Sequence, residues 1–461
     1  MEHRSNDIAT QRATGQDPAP GPPIIGALAA RGFRWLYVLD AVALFGVMCL
    51  VMLVRFGTAW PSASLAVHLG GFGAATAVHL VVYYFGGLYD RTFRLGRRMW
   101  LGRVAGLTVI ALAACALVIL PTDRYPIPRG NLPFVGAFVA LAVTGNRHLS
   151  RILRSSRYGP PRVMLVGNPD DMALAAKHLA ESDRDAKVVA QTTDPSRLVE
   201  LAEAHTVTDV MLVSETSLED IYPEPLSSFE AKRKGVYLRV TAKNALMGLR
   251  NVRQIGGMPY VTLLSHTLPP SKVRFKRACE LVLLVALAPI LIVVTGLTAL
   301  YVLAVAGRPL FYRQARTGFQ GRPFSMVKFR TMYPDAEERT GAVMSSGTDD
   351  PRVIPACRWL RGTRLDELPQ FWNVTRGEMS IIGPRPERPE MTQRFSELIP
   401  GYERRHEIPP GITGLAQVRG RYDLDPAYKL GHDIQYLVNW SPVLDLQILV
   451  RTLWVMIARR G

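Results

Sequence analysis

The chain has 461 residues, of which 55 are basic and 38 acidic, giving a formal charge of +17 at pH 7. Only 20% of its residues are charged, below the ~25% of an average soluble domain, and its mean hydropathy is slightly positive at +0.10. A disordered nucleic-acid tail would be far more polar, so no nucleic-acid partner is expected, and an entirely soluble protein is disfavoured.

Residues 1–30, with Pro18, Pro20, Pro22 and Pro23, read as a disordered tail. Across residues 31–158 come four apolar runs, Trp35–Val54, Leu65–Leu88, Val104–Leu120 and Leu132–Thr144. The first three approach the ~20 residues that cross a bilayer core, while the fourth is short. They predict a four-helix transmembrane bundle. Arg31 and Arg34, then Arg91, Arg94, Arg97, Arg98 and Arg103, then Arg147, Arg151, Arg154 and Arg157 flank one side of the runs. The other side has only Arg55, and Arg124 with Arg129 beside Asp123. The positive-inside rule therefore sets both ends of the bundle in the cytoplasm. Asp40, His68 and His79 lie inside the runs. Asp40 is expected near a helix end, and the histidines are expected to bond between helices rather than to line a transport path. Cys49, Cys115, Cys279 and Cys357 are far apart and form no C-x-x-C pair, so neither a disulfide framework nor a zinc site is indicated.

From residue 159 to 268 short β-rich runs alternate with helical ones: Val163–Val166, Met172–Leu179, Val188–Ala190, Leu198–Ala204, Val210–Val213 and Val236–Val240. This alternation predicts a Rossmann-like, doubly wound α/β domain. A dinucleotide fingerprint needs several glycines in the first turn, but only Gly167 is present, followed by Pro169, Asp170 and Asp171. The two acids would repel phosphate, so they are read as helix-capping groups of a structural or regulatory module.

Leu281–Ala306 is a run of 26 residues without a charge, long enough to span, with Pro289 inside it. Lys272, Arg274, Lys276 and Arg277 precede it, and Arg308, Arg313 and Arg316 follow. A straight crossing would strand one basic cluster outside, so a re-entrant helix over 278–306, broken at the proline, is expected. It would hold residues 271–461 at headgroup level.

The chemistry concentrates in the last 135 or so residues. Lys328 and Arg330, two apart on a β-like stretch, should share one face. Arg358, Arg361 and Arg364 recur every three residues and should line one side of a helix ahead of Leu365-Asp366-Glu367-Leu368-Pro369-Gln370. Adjacent carboxylates amid guanidinium groups suit phosphoryl chemistry: one can attack phosphorus while the other holds a divalent metal. Arg385, between Pro384 and Pro386, has little backbone freedom and can present a fork to phosphate.

With these motifs in order, the chain resembles a known family. Lys276-Arg277, Pro289, Gly318, Phe324, the Lys328–Met332 stretch, Asp350-Pro351-Arg352, the Leu365–Gln370 motif, Asn373-Val374, Gly377-Glu378-Met379-Ser380, Gly383–Pro386 and Pro410–Gly414 are similar to the bacterial sugar transferases, monotopic phosphoglycosyl transferases acting on polyprenyl phosphate. The extension before them resembles the larger polyprenyl-phosphate hexose-1-phosphate transferases that start exopolysaccharide, capsule or O-antigen synthesis.

The resemblance implies that Asp366 attacks a UDP-sugar, releasing UMP, and that polyprenyl phosphate then takes the sugar phosphate. It implies Glu367 as catalytic partner and Mg²⁺ position, and Arg361 and Arg385 as phosphate or nucleotide ligands. Lys328 and Arg330 are further substrate-binding candidates, while Glu378 lies in a family motif. Departures are Ala288 before the kinking proline, Arg364 where Ser or Thr is common, Glu378 where Asp is commoner, and the stretch after Asp350-Pro351-Arg352.

His406 and His432 are read as structural. Leu444–Ile457 is read either as a membrane-surface helix or as a helix packed on the catalytic core. The expected fold class is membrane α plus α/β: four-helix bundle, Rossmann-like middle domain and mixed catalytic domain. The expected location is the inner membrane, multi-pass, with the catalytic domain cytoplasmic and a homodimer as a candidate assembly. The rival reading is a non-catalytic scaffold or regulator of polysaccharide assembly.

Overall fold

The computed structural model describes residues 35–57, 65–90, 95–96, 100–119, 128–182, 185–214, 220–222, 224–232, 234–241, 252–264, 267–333, 350–419 and 425–457. The tail expected over 1–30, the loop residues Arg31, Arg34, Arg91, Arg94, Arg97, Arg98, Asp123 and Arg124 lie outside the described residues. The chain divides into two compact units, up to Leu263 and from Leu264 onward.

The first unit opens with α1 (Trp35–Phe56), α2 (Leu65–Phe85), α3 (Trp100–Ile119) and α4 (Leu132–Tyr158). The first three are long and apolar enough to cross a membrane. In α4 the apolar part expected from sequence continues without a break into a basic end. Leu44 and Met48 of α1, Phe72 and Tyr83 of α2, Val104 of α3 and Val139 of α4 share one buried core. Val42, Val54, Val109 and Leu117 stay exposed on the outer faces, as apolar side chains do where the surrounding solvent is lipid.

A polar lock sits inside this core. Arg147 donates from its two terminal nitrogens to Asp40, at 2.9 and 2.8 Å. Asn146 donates to one carboxylate oxygen at 3.0 Å and the Tyr89 hydroxyl to the other at 2.8 Å. Each oxygen thus has two donors, the condition under which a buried charge is tolerable. Asp40 lies near the start of α1, as expected, and is fully buried there. Arg147, counted with the cytoplasmic cations, is instead buried as its partner. His79 bonds its own helix through the Ala75 carbonyl instead of bridging helices.

The α/β part follows: β1 (Arg162–Val166), α5 (Pro169–Ser182), β2 (Lys187–Thr192), α6 (Leu198–Ala204), β3 (Asp209–Leu212), α7 (Leu226–Ala231) and β4 (Gly235–Arg239). A hairpin of β5 (Arg253–Ile255) and β6 (Met258–Leu263) completes a sheet of order β2-β1-β3-β4-β6-β5. β1 to β4 are parallel, and β6 joins β4 antiparallel. Because strand side chains alternate, Val163 and Leu165 bury against Met172 and Leu179 on one face. Met164 and Val166 bury against Leu198 and Phe229 on the other. Both faces are covered, which is why the parallel strands read as continuous apolar runs.

The second unit begins with α8 (Pro270–Ala306), one helix of 37 residues that runs on through Pro289, so the break expected at the proline is corrected; it too is apolar enough to cross a membrane. Then come β7 (Phe311–Thr317) paired antiparallel with β8 (Pro323–Phe329), α9 (Arg358–Gly362), α10 (Gln370–Arg376), β9 (Ser380–Ile382), α11 (Pro389–Leu398), β10 (Gly411–Thr413) parallel to β9, α12 (Leu415–Arg419), α13 (Pro426–Asn439) and α14 (Pro442–Ile457).

The start of α8 is tied in by charge: buried Lys276 bonds Glu280 at 2.7 Å and reaches Asp445 at 3.3 Å. Glu280 also accepts from Ser380 and, at 3.2 Å, from the Ile381 amide. Asp445 in turn accepts from Tyr436 and Trp440, so these aromatics anchor α14 on its inner side. Four apolar helices with a mixed sheet make the fold membrane α plus α/β.

Candidate active site

The dyad stands on a single 3₁₀ turn, Leu365–Glu367. In such a turn residues three apart eclipse, so Leu365 and Leu368 fall on one side. They pack with Val302, Phe329, Cys357 and Leu360. The two leucines anchor the turn, and the acids between them are carried into the polar side of the fold. Pro369 precedes α10, whose Asn373 ties the turn to β8: its side-chain oxygen accepts from the Val327 amide at 3.1 Å, and its nitrogen donates to the Ser325 carbonyl at 2.8 Å. The same nitrogen donates to Glu378 at 2.6 Å. Glu378 therefore braces Asn373, and through it the strand that carries Lys328.

Lys328 bonds Glu367 at 2.6 Å, and Arg364 lies 3.7 Å from the other Glu367 oxygen. Arg364 has φ +58°, a left-handed backbone for a non-glycine residue. It terminates α9 at Gly362 and turns the chain so that its guanidinium comes back over Glu367. The expectation that Arg358, Arg361 and Arg364 line one helix is corrected by this break in the backbone.

Asp366 is 7% exposed. Burial, then the charge of Glu367, pushes its carboxyl above the ordinary range, against the pull of Lys328, Arg361 and Arg364. For Glu367 burial also acts upward, but Lys328, Arg385 and Arg364 outweigh it and hold its carboxyl below the ordinary range. One member of the pair is thus kept ionised and the other is kept basic, two roles drawn from adjacent residues.

Arg361 acts electrostatically on Asp366 and Arg385 on Glu367. Arg330 is engaged elsewhere. The strand ends at Phe329, so the alternation that would give Arg330 the face of Lys328 does not extend to it. Its guanidinium is buried and donates to the carbonyls of Ala306, Arg308, Pro309 and Met332, with Pro309 at 2.8 Å. Arg330 caps the end of α8, where the helix leaves carbonyls without partners.

The Gly383–Pro386 and Pro410–Gly414 motifs explain each other, being the ends of the β9–β10 pair. A Cβ on Gly411 would meet the Gly383 nitrogen at 2.1 Å, so only glycine lets the two backbones close. Arg316, which sequence reasoning overlooked, is half-buried beside this turn and donates to the Pro386 carbonyl at 3.1 Å. Burial, then the charges of Arg385 and Arg388, pushes its guanidinium down to about 10. The signal available in the sequence was its place next to Thr317 and Gly318, which was read only as a flank of the membrane segment.

In the α/β part, the first turn is filled from within. The Ser214 hydroxyl donates to Asp171 at 2.7 Å, Arg239 does so at 2.7 Å, and a Cβ on Gly167 would meet Ser214 Oγ at 2.5 Å. Asp171 occupies the helix N-terminus that a bound phosphate would use.

The family described as bacterial sugar transferase matches residues 271–459. A UDP-glucose:undecaprenyl-phosphate glucose-1-phosphate transferase of Klebsiella pneumoniae is 37% identical over 210 residues, 44% of this chain and 44% of the relative. The chain therefore spans less than half the length of that relative. A protein of the same description from Xanthomonas campestris pv. campestris is 27% identical over 471 residues, covering 94% of this chain and 95% of its own. The exopolysaccharide production protein ExoY of Sinorhizobium fredii is 34% identical over 223 residues, 46% of this chain and 90% of its own.

Proposed function

Because the chain belongs to the bacterial sugar transferase family, we propose that it transfers a sugar 1-phosphate from a UDP-sugar to a polyprenyl phosphate, releasing UMP, as the first membrane step of a surface polysaccharide. The observation that carries this reading is buried Asp366 beside half-buried Glu367, with Lys328 2.6 Å from the latter. In the first step an Asp366 oxygen attacks the β-phosphorus of the UDP-sugar. The new O–P bond replaces the bond to UMP, which departs with the electron pair. In the second, an oxygen of polyprenyl phosphate attacks the same phosphorus and Asp366 leaves as carboxylate, giving the polyprenyl diphosphate sugar. Arg361 and Arg385 hold the phosphates, and Lys328 keeps Glu367 ionised.

Mg²⁺ is part of the proposal. The donor chemistry fits: a carboxylate pair plus substrate phosphate oxygens suits a cation that keeps much of its water. Glu367 would hold the ion, which would neutralise phosphate oxygens when bound, and would leave Asp366 for the attack.

The re-entrant reading of α8 is supported by its burial pattern. Lys276, Glu280 and Leu284 are buried before the proline, and Thr298 and Val302 after it. Between them Val285, Ile290, Ile292, Val293 and Leu297 are exposed on successive faces of the helix. A segment apolar all round, with both flanks packed on one catalytic unit, is what a dip into a single leaflet requires. The Rossmann-like reading of the middle domain is supported by the parallel order β2-β1-β3-β4, and Asp171 favours a structural role over dinucleotide binding. A multi-pass location in the inner membrane, with the catalytic unit cytoplasmic, and a homodimer belong to the same proposal.

The test uses full-length protein in membranes with radiolabelled UDP-hexoses and polyprenyl phosphate. The expected result is organic-extractable label with UMP released, and loss of both with Asp366→Asn. Release of UDP would indicate transfer of the sugar alone. Full activity of Asp366→Asn would remove the nucleophile, and no product with any donor would favour the scaffold.

A further inference from the structure

The backbone that presents Arg385 is held at every carbonyl. Pro384 accepts from the Gly411 amide at 2.8 Å, Arg385 from Arg405 Nη2 at 3.0 Å, Pro386 from Arg316 Nη1 at 3.1 Å and Glu387 from the Thr317 amide at 2.9 Å. Three of these donors come with the strands and their flanks. The fourth does not: Arg405 lies on a separate 3₁₀ turn, Tyr402–Glu407, and its guanidinium is buried at 3% exposure.

A guanidinium pays a large desolvation cost on such burial unless it is paired. Arg405 is paired with buried Asp433 of α13 at 2.9 Å, with the Glu387 carboxylate further off at 4.0 Å. It lies over the Tyr402 ring at 5.0 Å and donates to the Tyr402 hydroxyl. Too deep to meet a substrate, it donates from Nη2, the nitrogen that faces Asp433, to the carbonyl of Arg385, whose charge acts on Glu367.

We infer that Arg405, oriented by Asp433 and Tyr402, is a positioning residue that sets the direction of the Arg385 guanidinium toward the donor's diphosphate. This rests on the reading of Arg385 as a phosphate ligand. Arg405 contributes no contact to the reacting atoms. It fixes one peptide plane, and a planar fork with several donors can bond the carbonyl, the phenol and the carboxylate together where a lysine cannot.

The experiment is a double-mutant cycle on full-length protein in membranes, with Arg405→Lys, Arg385→Lys and the pair. KM for the UDP-sugar, kcat and the melting temperature of the purified protein are the readouts. Arg405→Lys is expected to lose about tenfold in kcat/KM, mainly through KM, alongside the fall in melting temperature that losing buried bonds brings. In the Arg385→Lys background the same change is expected to cost about twofold or less, since the orientation it secures is already lost. Losses that multiply across the two backgrounds, or a loss confined to melting, would overturn the inference. Should Arg405→Lys fail to accumulate, Tyr402→Phe removes one orienting group, and it is expected to raise KM in the same direction; an unchanged KM in that variant overturns the inference too. A wild-type protein that forms no lipid-linked product refutes the proposed reaction, whereas an active wild type with an unaffected Arg405→Lys refutes only the positioning role.

Discussion

Lys328→Met deletes the cation closest to the dyad while keeping an unbranched stem in its place. The ammonium lies 2.6 Å from Glu367, with side chains 20% and 11% exposed. At that distance the attraction is about 6 kcal/mol for an effective dielectric of about 20, and about 3 kcal/mol for one of about 40. Part offsets desolvation, so about 3 kcal/mol, or about two pH units, is the most the variant can show. The sign follows from both carboxyls. Glu367 lies below its ordinary range, so its contribution to stability is present above the unfolded pKa and is lost as pH falls through the folded one. Removing Lys328 lifts that folded value. Asp366 is already raised by burial and by Glu367, and it loses one of the cations restraining it. Both effects move the acid limb of kcat/KM to higher pH, by about one to two units. The assay is UMP release from the UDP-sugar across pH for wild type, Lys328→Met and Lys328→Arg, the last retaining the charge and most of the wild-type limb. An acid limb unmoved in Lys328→Met, or moved equally in Lys328→Arg, refutes the electrostatic account.

Two further substitutions separate structural cations from chemical ones. Arg330→Met leaves three backbone carbonyls at the end of α8, and that of Met332, without this donor and is expected to cost about 3 kcal/mol of stability, read as a lower melting temperature in detergent, with KM for the UDP-sugar within about twofold. A rise in KM with unchanged melting would instead restore the substrate-binding role expected from sequence. Asp40→Leu or Arg147→Leu alone strands a buried charge in the helix bundle and should cost about 3–5 kcal/mol, whereas the double substitution should recover most of it. Protease resistance of the solubilised protein checks this, and a double variant weaker than either single refutes the pairing.

What the sequence made legible is what local pattern and composition control. The apolar runs, the parallel strands and the ordered C-terminal motifs are each written in consecutive residues, and α1 to α3 and β1 to β4 formed where expected. The hairpin β5–β6 escaped notice although it carries its own signal: Gly256 and Gly257, with φ of +57° and +76°, make a two-residue turn between strands. Other misses have a common physical origin. Asp40 and Arg147 are 107 residues apart, and Arg405 and Asp433 meet across two separate elements. Charge partners at such separations leave no periodic trace. Arg330 was misjudged for a different reason: spacing by two assigns a face only while the strand continues, and β8 stops one residue short.

The basic residues of the second unit divide by the kind of partner each can satisfy. Arg330 and Arg405, both buried, and half-buried Arg316 hold backbone carbonyls, which suits a planar fork with several donors. Lys328, at the dyad, holds a single carboxylate oxygen, the role of a compact point charge. Lys328, Arg361, Arg364 and Arg385 are among the groups acting on Asp366 and Glu367. After burial, Arg385 and Arg388 also lower the Arg316 guanidinium, against the pull of Glu387, to about 10. On the proposed reading of Arg385, a diphosphate bound beside it would add negative charge among these guanidinium groups and would gain affinity by relieving their mutual repulsion.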